Sequence, residues 1–243
     1  MRITFKISSD KGKIEVPLDY NHPIQSLLYH NISPELASFL HDKGFSYERR
    51  SFKMFTFSRL IGRYDINDGR IIFETPVKLI VSSPIDQFVS ELANMILRKG
   101  ELSLCGKKVY VEEIIVHQEP DIKSTIKIRT MTPIVAYSTL ITTDKKKKTY
   151  YYNPIEREFS EILDKNLRKK YEAFYGKNHP KTSKLSIKPL GRFGEKIVKY
   201  RDNVIKGYMG RFILEGDDKL IKLAYDCGLG SKNFQGFGMF DLL

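Results

Sequence analysis

The run Gly228-Leu-Gly-Ser-Lys-Asn-Phe-Gln-Gly-Phe-Gly238 places four glycines, a serine and a lysine just ahead of an apolar terminal segment. Glycine takes φ > 0 and lets another molecule's backbone come close, and successive N–H groups turned one way can cradle an anion. The chemistry offered by this spacing is therefore phosphate binding. A plainer reading stays open, in which Gly228 ends the preceding helix and the other glycines serve tight turns. A nucleotide-binding P-loop does not fit. That motif runs strand, glycines, Lys-Ser/Thr, helix; here a helix comes first, a strand follows, and Ser231-Lys232 is in reversed order.

Other reactive side chains are set aside by their spacing. Cys105 and Cys227 form no Cys-x-x-Cys, and His22, His30, His41, His117 and His179 form neither His-x-x-x-His nor His-Glu-x-x-His. Neither a metal site nor a disulfide framework is expected, and no cofactor is called for. Gly216-Asp217-Asp218 looks like the acidic turn of metal-dependent polymerases, but the residues after it continue as an amphipathic helix. One of these aspartates then serves as an N-cap, and no second acidic motif completes a metal pair.

Charge narrows the partners. With 41 Lys+Arg against 29 Asp+Glu the formal charge is +12, which calls for nucleic acid or an anionic membrane. No apolar run approaches the ~20 residues of a bilayer span, so a membrane is the poorer choice. Met1 to Ile7 alternates like a strand instead of forming a signal peptide, and a cytoplasmic location is expected. The length of 243 residues and 41% hydrophobic content suit two small domains.

The elements that must position these residues follow from periodicity. Residues 2–17 read as strands, 23–42 as a helical segment interrupted at Pro34, and 53–60 and 70–82 as strands joined through Asn67-Asp68-Gly69. A helix starts at Ser83-Pro84 and stops at Gly100, and 108–117 closes a βαββαβ series. After Glu119-Pro120 a similar series begins: a strand at 124–130, a Tyr/Thr/Ile-rich pair over 134–152, and a helix over 154–175. Strands at 183–190, 196–201 and 204–215, a helix from Asp217 to Cys227, the glycine run and a strand over Phe237 to Leu242 complete it. The fold class expected is α+β: two tandem ferredoxin-like, RRM-like domains, over 1–119 and 120–243. Such sheets commonly bind RNA.

The second unit also carries a positive track. Lys165, Arg168, Lys169 and Lys170 share the polar face of its long helix, and Lys184, Lys188, Arg192, Lys196, Lys199 and Arg201 follow on the strands. With Gly228, Gly230, Ser231, Lys232, Gly236 and Gly238 these are the candidate RNA contacts, phosphate-directed and therefore independent of sequence. Lys145 to Lys148, at the tip of the 134–152 pair, suit either a solvated hairpin end or a phosphate contact.

Beside the glycine-rich tail, three patterns stand in order in the first half: Gln-Ser-Leu-Leu-Tyr29, Ser-Phe-Leu-His41 and Phe-Lys53-Met-Phe-Thr-Phe-Ser. Together they carry a resemblance, over nearly the whole chain, to the CRISPR-associated endoribonucleases of the RAMP superfamily that cut precursor CRISPR RNA within its repeats. The resemblance implies a metal-independent cleavage site of Tyr29, His41 and Lys53, with attack by the RNA's own 2′-OH leaving 2′,3′-cyclic phosphate and 5′-OH ends. A histidine exchanges protons near neutral pH, a lysine can stabilise the charged transition state, and a tyrosine is the second proton-transfer candidate. Nearby positive charge is expected to help Tyr29 share its proton.

Taken singly, Tyr29 also suits a core position, His41 a helix-dipole contact and Lys53 a solvated strand. His30 competes with His41, but about 100° of helical rotation separates it from Tyr29. The resemblance further implies subunits of a CRISPR effector complex as partners, and it fits a monomer or a homodimer. Its alternative is a non-catalytic RNA-binding subunit of such a complex, which needs no aligned Tyr, His and Lys.

Overall fold

The computed structural model describes residues 1–141, 143–180 and 184–243. In chain order the first half contains β1 (Arg2–Ser8), β2 (Lys13–Pro17), α1 (Asn21–Tyr29), α2 (Pro34–Ser38), a π-helical turn (Phe39–Lys43), β3 (Phe45–Tyr47), β4 (Arg50–Phe52) and β5 (Thr56–Phe57). There follow β6 (Tyr64–Asn67), β7 (Arg70–Glu74), β8 (Val77–Ser82), α3 (Asp86–Lys99), β9 (Glu101–Leu104) and β10 (Lys107–Val116). The second half contains β11 (Thr125–Thr130), β12 (Tyr137–Ile141), β13 (Lys147–Tyr151), α4 (Arg157–Tyr175), β14 (Ser186–Tyr200), β15 (Asn203–Glu215), α5 (Asp218–Cys227) and β16 (Phe240–Leu242).

Two antiparallel sheets organise these elements, in the orders β5-β8-β1-β10-β9 and β14-β15-β11-β16. In each, the first strand of its half lies between the third and the last of the βαββαβ series, which is the ferredoxin-like arrangement expected. Ile3, Phe5 and Ile7, on one face of β1, join Phe88 and Leu92 of α3 and Ile24 and Leu28 of α1 in the first core. Phe159, Leu163 and Leu167 of α4 pack with Phe212 and Leu214 of β15 and Leu220 and Leu223 of α5 in the second. Burial on this scale, at roughly 25 cal/mol per Å² of apolar surface, is the main term holding each half together.

Element ends follow local chemistry. Ser33 accepts from the Leu36 N–H with Pro34 at the first helical position, and Asp217 accepts from the Lys219 and Leu220 amides, so the acidic Gly-Asp-Asp turn is a helix cap as expected. Asp68 and Gly69, at φ +47° and +72°, make the two-residue turn that the sequence marks, but its first strand is β6 and not 53–60.

Five expected elements differ in form. The helix over 23–42 is three pieces. The strand over 70–82 is two that part at Thr75-Pro76, where proline has no N–H for a ladder. The strands over 183–190 and 196–201 are one strand, β14, with an irregular register between Pro189 and Phe193; residue 183 of that expectation lies outside the described residues. The run 53–60 forms only the short β5. Among the described residues no helix is long and apolar enough to cross a membrane.

The halves interlock. Arg2 is 3% exposed, donates to the carbonyls of Tyr225 and Phe240, and lies 3.6 Å over the Tyr225 ring. In the other direction the Gly228–Gly238 run leans on the first half. Asn21 donates to the Gln235 carbonyl, Thr56 to the Phe237 carbonyl, and Phe234 packs against Phe55.

Candidate active site

Tyr29, His41 and Lys53 come together through three short elements. Tyr29 is the last residue of α1, held edge-on against Phe55, with ring centroids 5.7 Å apart, and against His41 at 6.1 Å. His41 sits in the π-helical turn, which closes when the Gly44 amide donates to the Phe39 carbonyl five residues back. Lys53 follows β4 directly and donates from Nζ to the His41 carbonyl (2.8 Å) and to Ser51 Oγ (3.3 Å). Gly44 makes this approach physical. A Cβ there would lie 2.7 Å from the Phe52 carbonyl and 3.1 Å from Lys53 Cδ, so the π turn and β4 touch only because that residue has no side chain.

Electrostatics separate the three. His41 is exposed, and its Nδ1 lies 2.7 Å from Asp42 Oδ1. The His41 contact, then the Ser38 hydroxyl, holds the Asp42 carboxyl below its ordinary range. With Nδ1–H donated to Asp42, Nε2 is the nitrogen left for a substrate. Asp42 was not singled out from sequence, although its adjacency to His41 is the available signal.

Burial is the first cause that pushes the Tyr29 hydroxyl well above the ordinary tyrosine value, and Tyr200 adds to it. No positive charge is among the causes of this shift, so the help expected from one is not what acts on Tyr29; it stays neutral and can act as a donor. Burial lowers the Lys53 ammonium, and Asp42 opposes that shift. His30 turns away. Its Nδ1 meets the Ser26 carbonyl at 2.7 Å, and it lines a separate hollow with His22 and Lys99, so α1 does not direct it at Tyr29 and Lys53.

Between the halves runs a cleft of about 830 Å³, lined by Arg50 to Phe55, by Lys165 and Lys169 of α4, and by Gly230 to Gln235. Lys53 is thus on one wall and Ser231 and Lys232 on another. The glycine run is less open to an anion than its composition suggests. The amides of Gly228, Ser231, Gly236 and Gly238 already donate to carbonyls of Ala224, Val135, Asn233 and Pro133. Gly228, Gly230, Gly236 and Gly238 are all buried, leaving the side chains of Ser231 and Lys232 to face the cleft; Lys232 Nζ lies 5.6 Å over the Tyr137 ring.

At the centre of this loop is Lys170, the residue most at variance with its sequence reading. It is 3% exposed instead of solvated, and its ammonium donates to the Gly228 and Gly230 carbonyls and to Asn233 Oδ1 at 2.8, 3.0 and 2.7 Å. Three donors meet three acceptors, which is how a cation without a carboxylate partner can be buried. Arg168 likewise is bound to Asp164 and the Pro180 carbonyl, and so is not part of an open track. Lys184, Lys188, Arg192, Lys196 and Lys199 are exposed on or just before β14, with Lys188 3.8 Å from Glu215. Beyond residue 192 that strand leaves the sheet with β15 as a two-stranded arm, since β11 pairs only with Arg211 to Glu215.

Comparison with known proteins gives a consistent result. The family model described as CRISPR-associated protein Cas6, N-terminal, matches residues 15–115, and that described as CRISPR associated protein Cas6, C-terminal, matches 117–242. The chain is 30% identical over 245 residues to CRISPR-associated endoribonuclease Cas6 1 of Methanocaldococcus jannaschii, covering 98% of this chain and 91% of the relative. It is 28% identical to CRISPR-associated endoribonuclease Cas6 of Pyrococcus furiosus, covering 96% and 86%. A solved structure titled CRISPR associated protein Cas6 superimposes with a TM-score of 0.81 at 29% identity, over 100% of this chain and 99% of that one. A Cas6 product complex shares the fold at a TM-score of 0.71 and 15% identity, over 100% and 99%.

Proposed function

Because the chain belongs to the Cas6 family of CRISPR-associated proteins, we propose that it is a metal-independent endoribonuclease that cuts CRISPR repeat RNA in precursor transcripts with Tyr29, His41 and Lys53. The observation that carries the proposal is the convergence of Tyr29, His41 and Lys53 from three elements, with Lys53 lining a basic cleft. A subunit that only binds RNA has no use for that convergence. The 1–119 half carries the chemistry, and the 120–243 half contributes Ser231, Lys232 and the exposed lysines and arginine of β14 as phosphate contacts.

The reaction is transesterification. The 2′-oxygen forms a bond to phosphorus as the bond from phosphorus to the 5′-oxygen breaks. His41 Nε2 takes the 2′-OH proton, and Tyr29, held neutral by its burial, donates toward the departing 5′-oxygen. Solvent then takes the proton from His41 and restores one to Tyr29. Lys53, anchored on the His41 carbonyl, places its positive charge beside the pentacoordinate phosphorus, where charge develops. The products are a 2′,3′-cyclic phosphate and a 5′-OH. Hand-over of the mature guide to effector-complex subunits, a cytoplasmic setting and pairing of two copies belong to the same proposal, and light scattering reads the last.

The deciding experiment is incubation of repeat RNA with the protein in excess EDTA, followed by a denaturing gel. Cleavage is expected, and it is expected to vanish with a 2′-deoxy nucleotide at the cut. Binding without cleavage, or cleavage that survives the 2′-deoxy substitution, would overturn the mechanism.

A further inference from the structure

The arm formed by β14 and β15 ends on the catalytic helix. Its tip, Tyr200-Arg201-Asp202-Asn203, turns tightly with Arg201 at φ +52° and comes to rest along α1. There the Tyr200 hydroxyl donates to Gln25 Oε1, the Tyr200 ring stands edge-on to His22 at 5.9 Å, and the Arg201 guanidinium donates to His22 Nε2 at 2.6 Å. His22, Gln25 and Tyr29 are spaced i, i+3, i+7, so they form one stripe of the helix, and Gln25 is the i,i+4 neighbour of Tyr29.

Tyr200 is itself buried at 6% exposed, packed with Val135, Ile205 and Phe237 of the second half. It is therefore a rigid post, not a side chain free to stack on a base. Exposed Arg192, Lys196 and Lys199 lie on the same strand, leading up to the tip.

We propose that Tyr200 is a positioning residue for cleavage: through Gln25 it fixes the stripe of α1 that carries Tyr29, and so ties the catalytic helix to the arm of the second domain. This rests on the assignment of Tyr29 to the cleavage site. Tyr29 sits at the very end of α1, where a helix held only from its other face can pivot. A displacement of about 1 Å at a reacting group can cost ~10²-fold in rate. The Tyr200–Gln25 hydrogen bond guards against that displacement beside the Arg201 contact with His22, and its loss is worth roughly tenfold. The two residues are 175 positions apart in sequence, so no local pattern marks the contact.

The test is single-turnover cleavage of repeat RNA by Tyr200→Phe, which keeps the ring and its packing and removes only the hydroxyl. The rate is expected to fall roughly tenfold with the RNA Kd unchanged. In a Tyr29→Phe background the same substitution is expected to have little further effect, because the group it positions is already gone. Gln25→Leu, at a half-exposed site, should reproduce the loss and should not add to it. An unchanged rate in Tyr200→Phe, or an equal loss with and without the Tyr29 hydroxyl, overturns the proposal. If the unaltered protein itself fails to cleave, the functional reading fails instead, and the two failures are told apart on the same gel.

Discussion

Gly238→Ala separates the two ways a glycine can matter. Gly238 has φ +75°, and a Cβ there would lie 2.0 Å from the Leu229 carbonyl oxygen and 2.6 Å from Asn233 Nδ2. The left-handed conformation alone costs an L-residue roughly 1–2 kcal/mol, and overpacking of a buried site adds about 1–3 kcal/mol. The sum is about 2–5 kcal/mol, which at ~2–4 °C per kcal/mol for a chain of this size lowers Tm by roughly 4–20 °C. Gly106 is the control: its φ is +73°, but nothing lies within 4 Å of its would-be Cβ, so only the conformational part applies. Gly106→Ala should fall by roughly 2–8 °C.

The functional consequence follows from what the Leu229 carbonyl touches. It accepts from Asn233 Nδ2, and Asn233 Oδ1 accepts from buried Lys170, so moving Leu229 moves the seat of Ser231 and Lys232. Repeat-RNA affinity is expected to drop by roughly ten- to a hundredfold, the worth of one charge-assisted hydrogen bond. Thermal unfolding followed by circular dichroism gives the first quantity, and filter binding below Tm gives the second. The reasoning is refuted if Gly238→Ala melts no lower than Gly106→Ala, or if it melts lower yet binds RNA as the unaltered protein does.

His41→Ala should lower the single-turnover rate by ~10²–10⁴-fold while leaving RNA Kd within about twofold, a split read by rapid quench and filter binding. Burial lowers the Lys53 ammonium, so its positive charge is lost at a lower pH than an ordinary lysine's. The rate should therefore decline on the alkaline side before pH reaches the normal lysine range, and a pH–rate profile of Lys53→Arg should lack that limb. Arg192→Gln and Lys196→Gln should each reduce the slope of log Kd against log salt by about 0.7 for every phosphate no longer neutralised, with little change in the cleavage rate at saturating protein.

The order of elements was legible because periodicity and punctuation agree: Gly100 stops α3, Asp68-Gly69 turns β6 into β7, and Asp217 caps α5. What escaped reading depends on partners far along the chain. Lys170 reads as solvated beside Lys165 and Lys169, yet it stands three residues after Leu167 and seven after Leu163, on the apolar face of α4. Only Gly228, Gly230 and Asn233, some sixty residues on, make it a buried hub. The π turn needs an i→i+5 hydrogen bond that no apolar spacing announces. The gap between the strands expected at 183–190 and 196–201 is bridged in the fold, where β14 takes up an irregularity between Pro189 and Phe193 and continues to its tip. At the site, Tyr29, His41 and Lys53 were accessible as patterns. Their geometry was not, since Asp42's orientation of His41, Lys53's anchorage on the His41 carbonyl and Gly44's close contact belong to the folded chain.

The mutual insertion of the halves bears on how the chain folds and how it can be dissected. Arg2, at the start of the first strand, has its guanidinium buried against carbonyls supplied by residues 225 and 240, while Thr56 and Asn21 hold the carbonyls of residues 237 and 235. Cutting the chain between the two sheets would remove these hydrogen bonds, each worth about 0.5–1.5 kcal/mol and about 1.5–3 kcal/mol for the charged Arg2, and would turn the apolar surface around them to water. Two units that look duplicated are thereby merged into one cooperative unit. Melting should be a single transition, and fragments expressed apart should regain order only when mixed.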